Sequence, residues 1–166
     1  MFSNMGWNID MLHIAASGPH ASDLVRLGEE RRVDPAGDYD ERAWAHVSAA
    51  GVTVVSRRFF DSDVVEMLAG TRTAVTHLAI GSTGGVYLLE AYRDGSRVRR
   101  LIEIDTGEGD EDFGEPLPGE ESVDEEYTED KFFALFSAIT GVEDLGFLTN
   151  AELTLVESPQ LVLDFG

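Results

Sequence analysis

Between Glu103 and Asp130 the chain carries fourteen carboxylates and not one Lys or Arg. Carboxylates at this density can do three things. They can ligate a hard cation, steer a basic partner, or keep a segment solvated. The cation reading fails on spacing. Asp105-Thr106-Gly107-Glu108-Gly109-Asp110 has Gly where an EF-hand loop needs Asp or Asn at its third and fifth positions, so no metal and no cofactor is expected. Mimicry of nucleic-acid phosphates would need carboxylates held at fixed spacing. A segment with Gly107, Gly109, Gly114, Pro116, Pro118 and Gly119 does not supply that by itself. Two readings stay open: a solubilising loop, or an anionic surface for a basic protein. The candidate partner-binding residues are Glu108, Asp110, Glu111, Asp112, Glu120, Glu121, Asp124, Glu125 and Glu126.

The other chemistry-bearing residues point nowhere in particular. His13, His20, His46 and His77 form no i, i+4 pair and no HExxH pattern. His13 and His77 lie in predicted strands and are expected to be hydrogen-bonded structural histidines. Gly81-Ser82-Thr83-Gly84-Gly85 is neither GxSxG nor a phosphate loop, since it joins two strands and lacks GK[ST]. There is no cysteine, which excludes disulfides, thiolate catalysis and cysteine-ligated metals. No catalytic set is assembled, so the expectation is a non-enzyme.

The formal net charge is −20 over 166 residues. It is concentrated. Residues 1–102 hold 13 acids against 11 Arg, whereas residues 103–130 alone contribute −14. Nucleic-acid affinity comes from Lys and Arg displacing counterions, so this balance argues against DNA or RNA, and equally against an anionic membrane surface. No apolar stretch approaches the ~20 residues of a spanning helix. No basic n-region precedes an apolar run at the N-terminus. With the missing cysteines, a cytoplasmic setting is expected. Eleven of the twelve cations are Arg, a bias that a GC-rich genome or a high-salt interior would also produce. General salt adaptation would spread the acids, and they are not spread.

The elements that must position the acidic segment follow from periodicity. Trp7–Ala16 reads as a first strand, with Ile9, Met11, Leu12 and Ile14. Pro19 to Leu27 reads as a short helix stopped at Gly28, and Glu29–Gly37 as a polar loop. Asp38 and Glu41 have capping-box spacing ahead of Ala43, Trp44, Val47 and Ala50, predicting a helix that ends at Gly51. Val52–Phe60 reads as a strand. Asp61-Ser62-Asp63 caps a short helix closed by Gly70. Residues 73–105 read as a three-stranded antiparallel meander, with the Asp94-Gly95 hairpin signal between its last two strands. Residues 106–127 form the acidic loop, pinned by Phe113, Leu117, Val123 and Tyr127. Thr128 is expected to cap a helix whose first turn carries Glu129 and Asp130, with an apolar stripe at Phe132, Leu135, Phe136 and Ile139 and its end at Gly141. Leu153 to Leu163 supplies a closing strand or extended segment. Trp7 and Trp44 are expected core anchors. Arg97, Arg99 and Arg100 are expected to pair with the chain's own carboxylates and dock the acidic loop on the meander's outer face. The fold class expected is α+β: a single domain over 1–166, with three to four packed helices, the meander and an N-terminal strand.

Residues 86–157 add a resemblance. The hairpin Tyr92-Arg93-Asp94-Gly95-Ser96, an acidic stretch ending in Gly114-Glu115-Pro116-Leu117-Pro118, and the helix end Ala134-Leu135-Phe136-Ser137-Ala138-Ile139-Thr140-Gly141-Val142 are similar to small uncharacterised bacterial proteins, some of the toxin-immunity type. The resemblance implies a protein-binding role and brings no catalytic residues. The leading expectation is thus an acidic interaction protein for a basic partner, as an inhibitor or immunity factor. One alternative is a ligand-binding or enzymatic domain acting on an anionic small molecule through the meander arginines. Another is an assembly protein pairing through an exposed strand.

Overall fold

Nine antiparallel strands form one sheet, in a computed structural model that describes residues 8–15, 25–37, 40, 42–58, 74–143 and 145–157. In chain order the strands are β1 (Asn8–Ala15), β2 (Leu27–Val33), β3 (Trp44–Ser48), β4 (Gly51–Ser56), β5 (Val75–Gly81), β6 (Val86–Arg93), β7 (Ser96–Ile104), β8 (Glu111–Phe113) and β9 (Glu152–Val156). Among the described residues the helices are α1 (Thr128–Thr140) and the single turn α2 (Phe147–Asn150), with a 3₁₀ turn at Glu120–Ser122. Across the sheet the order is β2-β9-β3-β4-β1-β5-β6-β7-β8.

Alternation along the strands divides the core between the two faces. Ile9, Met11, Trp44, Val55, Leu78, Ile80, Tyr87, Leu89 and Leu101 pack with Phe132, Phe133, Leu135 and Phe136 of α1. Leu12, Ile14, Ala43, Ala45, Val52, Val54, Val75 and Tyr92 form a second cluster. β1 lies near the middle and is buried along nearly its whole length, because both of its faces are covered.

The meander over residues 73–105 stands as β5–β6–β7. Its β6–β7 turn places Asp94 and Gly95 at φ 52° and 83°, the left-handed pair that lets two strands reverse in two residues. The first strand, the Gly51–Ser56 strand, helix α1 and the closing strand also form. Gly141 ends α1 at φ 80°. Thr128 makes no side-chain cap; Tyr127 occupies that position.

The α+β expectation of three to four packed helices is overturned: the described chain is mostly antiparallel sheet, with one helix longer than a single turn. The helix expected up to Gly51 is instead β3, paired with β4 through Trp44↔Val55 and Val47↔Val52. Trp44 enters one face cluster and Ala43 and Ala45 the other. With Trp44 and Ala45 buried on opposite faces and Val47 exposed, this strand shows no inside–outside alternation, so a few small and apolar residues imitate a helical stripe. The polar loop expected over 29–37 contains most of β2, an edge strand whose exposed Glu29, Glu30 and Arg31 look like loop residues because solvent meets them. Most of the short helix expected from Pro19 lies outside the described residues, but its expected end is corrected: Leu27 and Gly28 open β2. The short helix at 61–70, Trp7, His20, Asp38 and Glu41 lie outside the described residues, as does Leu161–Leu163. No helix among the described residues is long and apolar enough to cross a membrane.

Candidate functional site

Arg99 is where the acidic segment meets the sheet. It lies on β7, is 3 % exposed, and points to the face covered by α1. Its Nε and Nη2 donate to the two carboxylate oxygens of Glu120 at 2.9 Å each, a forked pair. Its Nη1 donates to Asp112 and to the carbonyls of Phe113 and Gly114, the last two at 3.0 and 3.1 Å. Glu120 also accepts from the Leu117 amide at 2.6 Å. The Glu120 bonds hold the Arg99 guanidinium above its ordinary range against the opposing effect of burial, and Asp112 adds to them. Gly114 fits because its φ is 87° and a Cβ there would stand 2.0 Å from the Val98 carbonyl oxygen. The chain after β8 therefore passes close over β7 before turning into the 3₁₀ segment.

Arg100 points to the opposite face. Its Nε sits 2.9 Å from Glu111 Oε2, at ion-pair distance but out of line for a hydrogen bond. It also lies 3.6 Å from Glu90, and Arg97 donates to Glu90 at 3.3 Å while stacking over the Phe113 ring. The meander arginines do hold the acidic loop, but the outer face expected for this docking is corrected: Arg99, its centre, is buried on the face covered by α1, and Arg100 supports it from the opposite face. Arg97 reaches the loop through an aromatic ring instead of a carboxylate.

The nine candidate carboxylates thus divide. Glu111, Asp112 and Glu120 are ion-paired to the sheet. Asp110 accepts from the Ile104 amide and Glu121 from the Gly119 amide, both stabilising local turns. Glu108, Asp124, Glu125 and Glu126 are exposed and have no ion-pair partner among the described residues. The segment's ends are tied down as well: Lys131 pairs with Glu103, and Ser82 donates to the buried Glu129 at 2.7 Å.

Beside Asp124 and Glu125 opens a cleft of about 410 Å³. Asp130, Phe133, Ala134, Ser137 and Ala138 line its floor, and they share one flank of α1. Residues 122–125 form one wall, and Glu143 and Leu145 close the far end. The apolar stripe of α1 faces the sheet, so the helix's remaining flank, with its small Ala134 and Ala138, is left for this cleft. Sequence reasoning missed Asp130, Glu143 and the α1 flank. The signal was present: carboxylates and small residues recur at helical spacing beside the apolar stripe.

The three described histidines, His13, His46 and His77, each have partners within the fold. His13 bonds Thr53 Oγ1 at 3.0 Å and the Ala50 carbonyl at 3.2 Å, and burial lowers its pKa to about 4. His46 stacks on Phe147. His77 lies between two carboxylates, bonded to Asp10 and 3.5 Å from Glu90 Oε1. Burial disfavours its charge, but the two carboxylates outweigh burial and raise its pKa to about 9. An imidazolium held this way is committed to its ion pairs and is a poor general base. Among the described residues no three His, Asp or Glu converge to hold a metal ion. No family model, curated protein or solved structure matches the chain.

Proposed function

We propose that the protein is a non-enzymatic acidic interaction protein that binds a basic protein partner, in the manner of an inhibitor or toxin-immunity factor. One observation carries this reading. In a segment where neighbouring carboxylates are paired to Arg99 and Arg100, Asp124, Glu125 and Glu126 are exposed with no ion-pair partner among the described residues, beside a cleft. Unneutralised charge projecting from an ordered wall raises the association rate of a cationic surface and fixes its orientation. Nucleic acid is disfavoured by the same field. The anionic-ligand alternative loses support because Arg97 and Arg100 are already matched by Glu90 and Glu111. We place the encounter in the cytoplasm, in keeping with a chain free of cysteine.

The test is affinity retention from the source lysate by the wild type and by two charge-matched variants. Asp124→Asn/Glu125→Gln/Glu126→Gln is expected to lose a salt-sensitive basic partner. Glu108→Gln/Glu115→Gln/Glu121→Gln, which removes three charges elsewhere on the segment, is expected to keep it. Equal retention by all three proteins, or retention of no basic protein, would sink the proposal.

A further inference from the structure

The cleft along α1 combines three properties that the exposed carboxylates alone do not have. Between its charged ends the floor carries the apolar Phe133, Ala134 and Ala138 with Ser137 among them, and Leu145 adds apolar surface at the far end. Its negative charge is split between its ends, with Asp124, Glu125 and Asp130 at one and Glu143 at the other. Its volume, about 410 Å³, is enough for several side chains. From Asp130 to the end of α1 at Thr140 the helix rises about 15 Å, so the two charged ends stand roughly three helical turns apart. Small residues on the floor let a partner backbone approach closely, and the apolar surface rewards a partner that is apolar between its charges.

We propose that this cleft is the seat for one amphipathic helix of the basic partner, carrying a Lys or Arg near each end and apolar residues between. The proposal rests on the reading of the protein as a binder of basic partners and specifies where and how it binds. A second copy of this chain is the poorer occupant, because its net charge of −20 repels an anionic rim. Carboxylates at both ends favour a segment whose two cations match the cleft length, and the apolar floor distinguishes it from a merely cationic chain.

Two synthetic probes test this: a 14-residue helical peptide with Lys at positions 2 and 13 and Leu and Ala between, and a charge-matched Gly/Ser peptide with no apolar residues. Calorimetry is expected to give at least tenfold tighter binding for the amphipathic probe. NMR shifts should centre on Ala134, Ala138 and Leu145. Ala134→Phe, which fills the floor, should weaken the amphipathic probe about tenfold and leave the Gly/Ser probe unchanged. Glu143→Lys, at the exposed far end, should weaken the amphipathic probe if Ala134→Phe proves poorly folded by its thermal transition. Equal affinity for both probes, insensitive to both variants, overturns the cleft as the seat while leaving the basic-partner reading intact. Binding of neither probe, together with loss of salt-sensitive retention in the lysate assay, overturns both. Self-association removed by Ala134→Phe would assign the cleft to a second copy and overturn the proposal.

Discussion

Residues 111–121 and 122–130 each hold five carboxylates, yet the sheet treats them differently. In the first stretch Glu120 and Asp112 are drawn onto Arg99, and Glu111 onto Arg100. In the second, Glu129 is buried against Ser82 while Asp124, Glu125 and Glu126 face solvent beside the cleft. The cause is position: β7 presents arginines to the chain leaving β8, and by residue 124 the chain has passed beyond their reach. An acidic run can therefore be half fastening and half surface, and only the unfastened half is available to a partner.

The largest expected effect comes from breaking the fastening. Arg99→Ala strands the carboxylate of Glu120, whose side chain is 8 % exposed, and should cost about 3–5 kcal/mol in chemical denaturation. A loss below about 1 kcal/mol would mean that the first stretch is as loosely held as the second. Of the two acids, Glu120 should matter more than Asp112, whose side chain is 73 % exposed.

A titration separates paired from merely buried groups in the same sheet. His77, raised to about 9 by its carboxylates, contributes stability that is complete below its unfolded value near 6.5 and is lost as pH rises through about 9. His13, lowered to about 4 by burial, acts in the other direction: its contribution is complete above about 6.5 and lost as pH falls toward about 4. Denaturation midpoints of the wild type should fall on both sides of neutrality. His77→Gln should flatten the alkaline limb, by at most about 3 kcal/mol. An unchanged alkaline limb would show that His77 is not held charged.

Gly114→Ala tests how closely the fastened chain must approach β7. The positive φ and the carbonyl contact should cost about 2 kcal/mol and raise protease cleavage within 111–121 more than within 122–130. The smallest effect is expected for Asp124→Asn/Glu125→Gln/Glu126→Gln. Stability should change by no more than about 0.5 kcal/mol, because exposed charges without partners contribute little to folding. A larger loss would show that these acids, too, are structural.

The meander, α1 and the Asp94-Gly95 turn were legible because each is specified locally, by alternation, by a 3.6-residue stripe, or by a turn that needs two left-handed residues. β3 was not legible, because Ala43-Trp44-Ala45 is buried on both faces and carries no period. β2 was hidden by its polarity, and β8 by its three-residue length inside an acidic run. For the site, the acids and the arginines were both visible in the sequence. Their assignment to one another was not: Arg99 and Arg100 are adjacent, so they project to opposite faces and reach different carboxylates.

By itself the sequence determined the composition of the acidic segment, its want of cations, and the sign of the net charge. These are properties of residue types, independent of conformation. Which carboxylates are used up and which remain was decided only by tertiary structure. Ion pairing depends on distances of a few ångströms between residues far apart in the chain, and those distances exist only once β7, β8 and α1 are assembled.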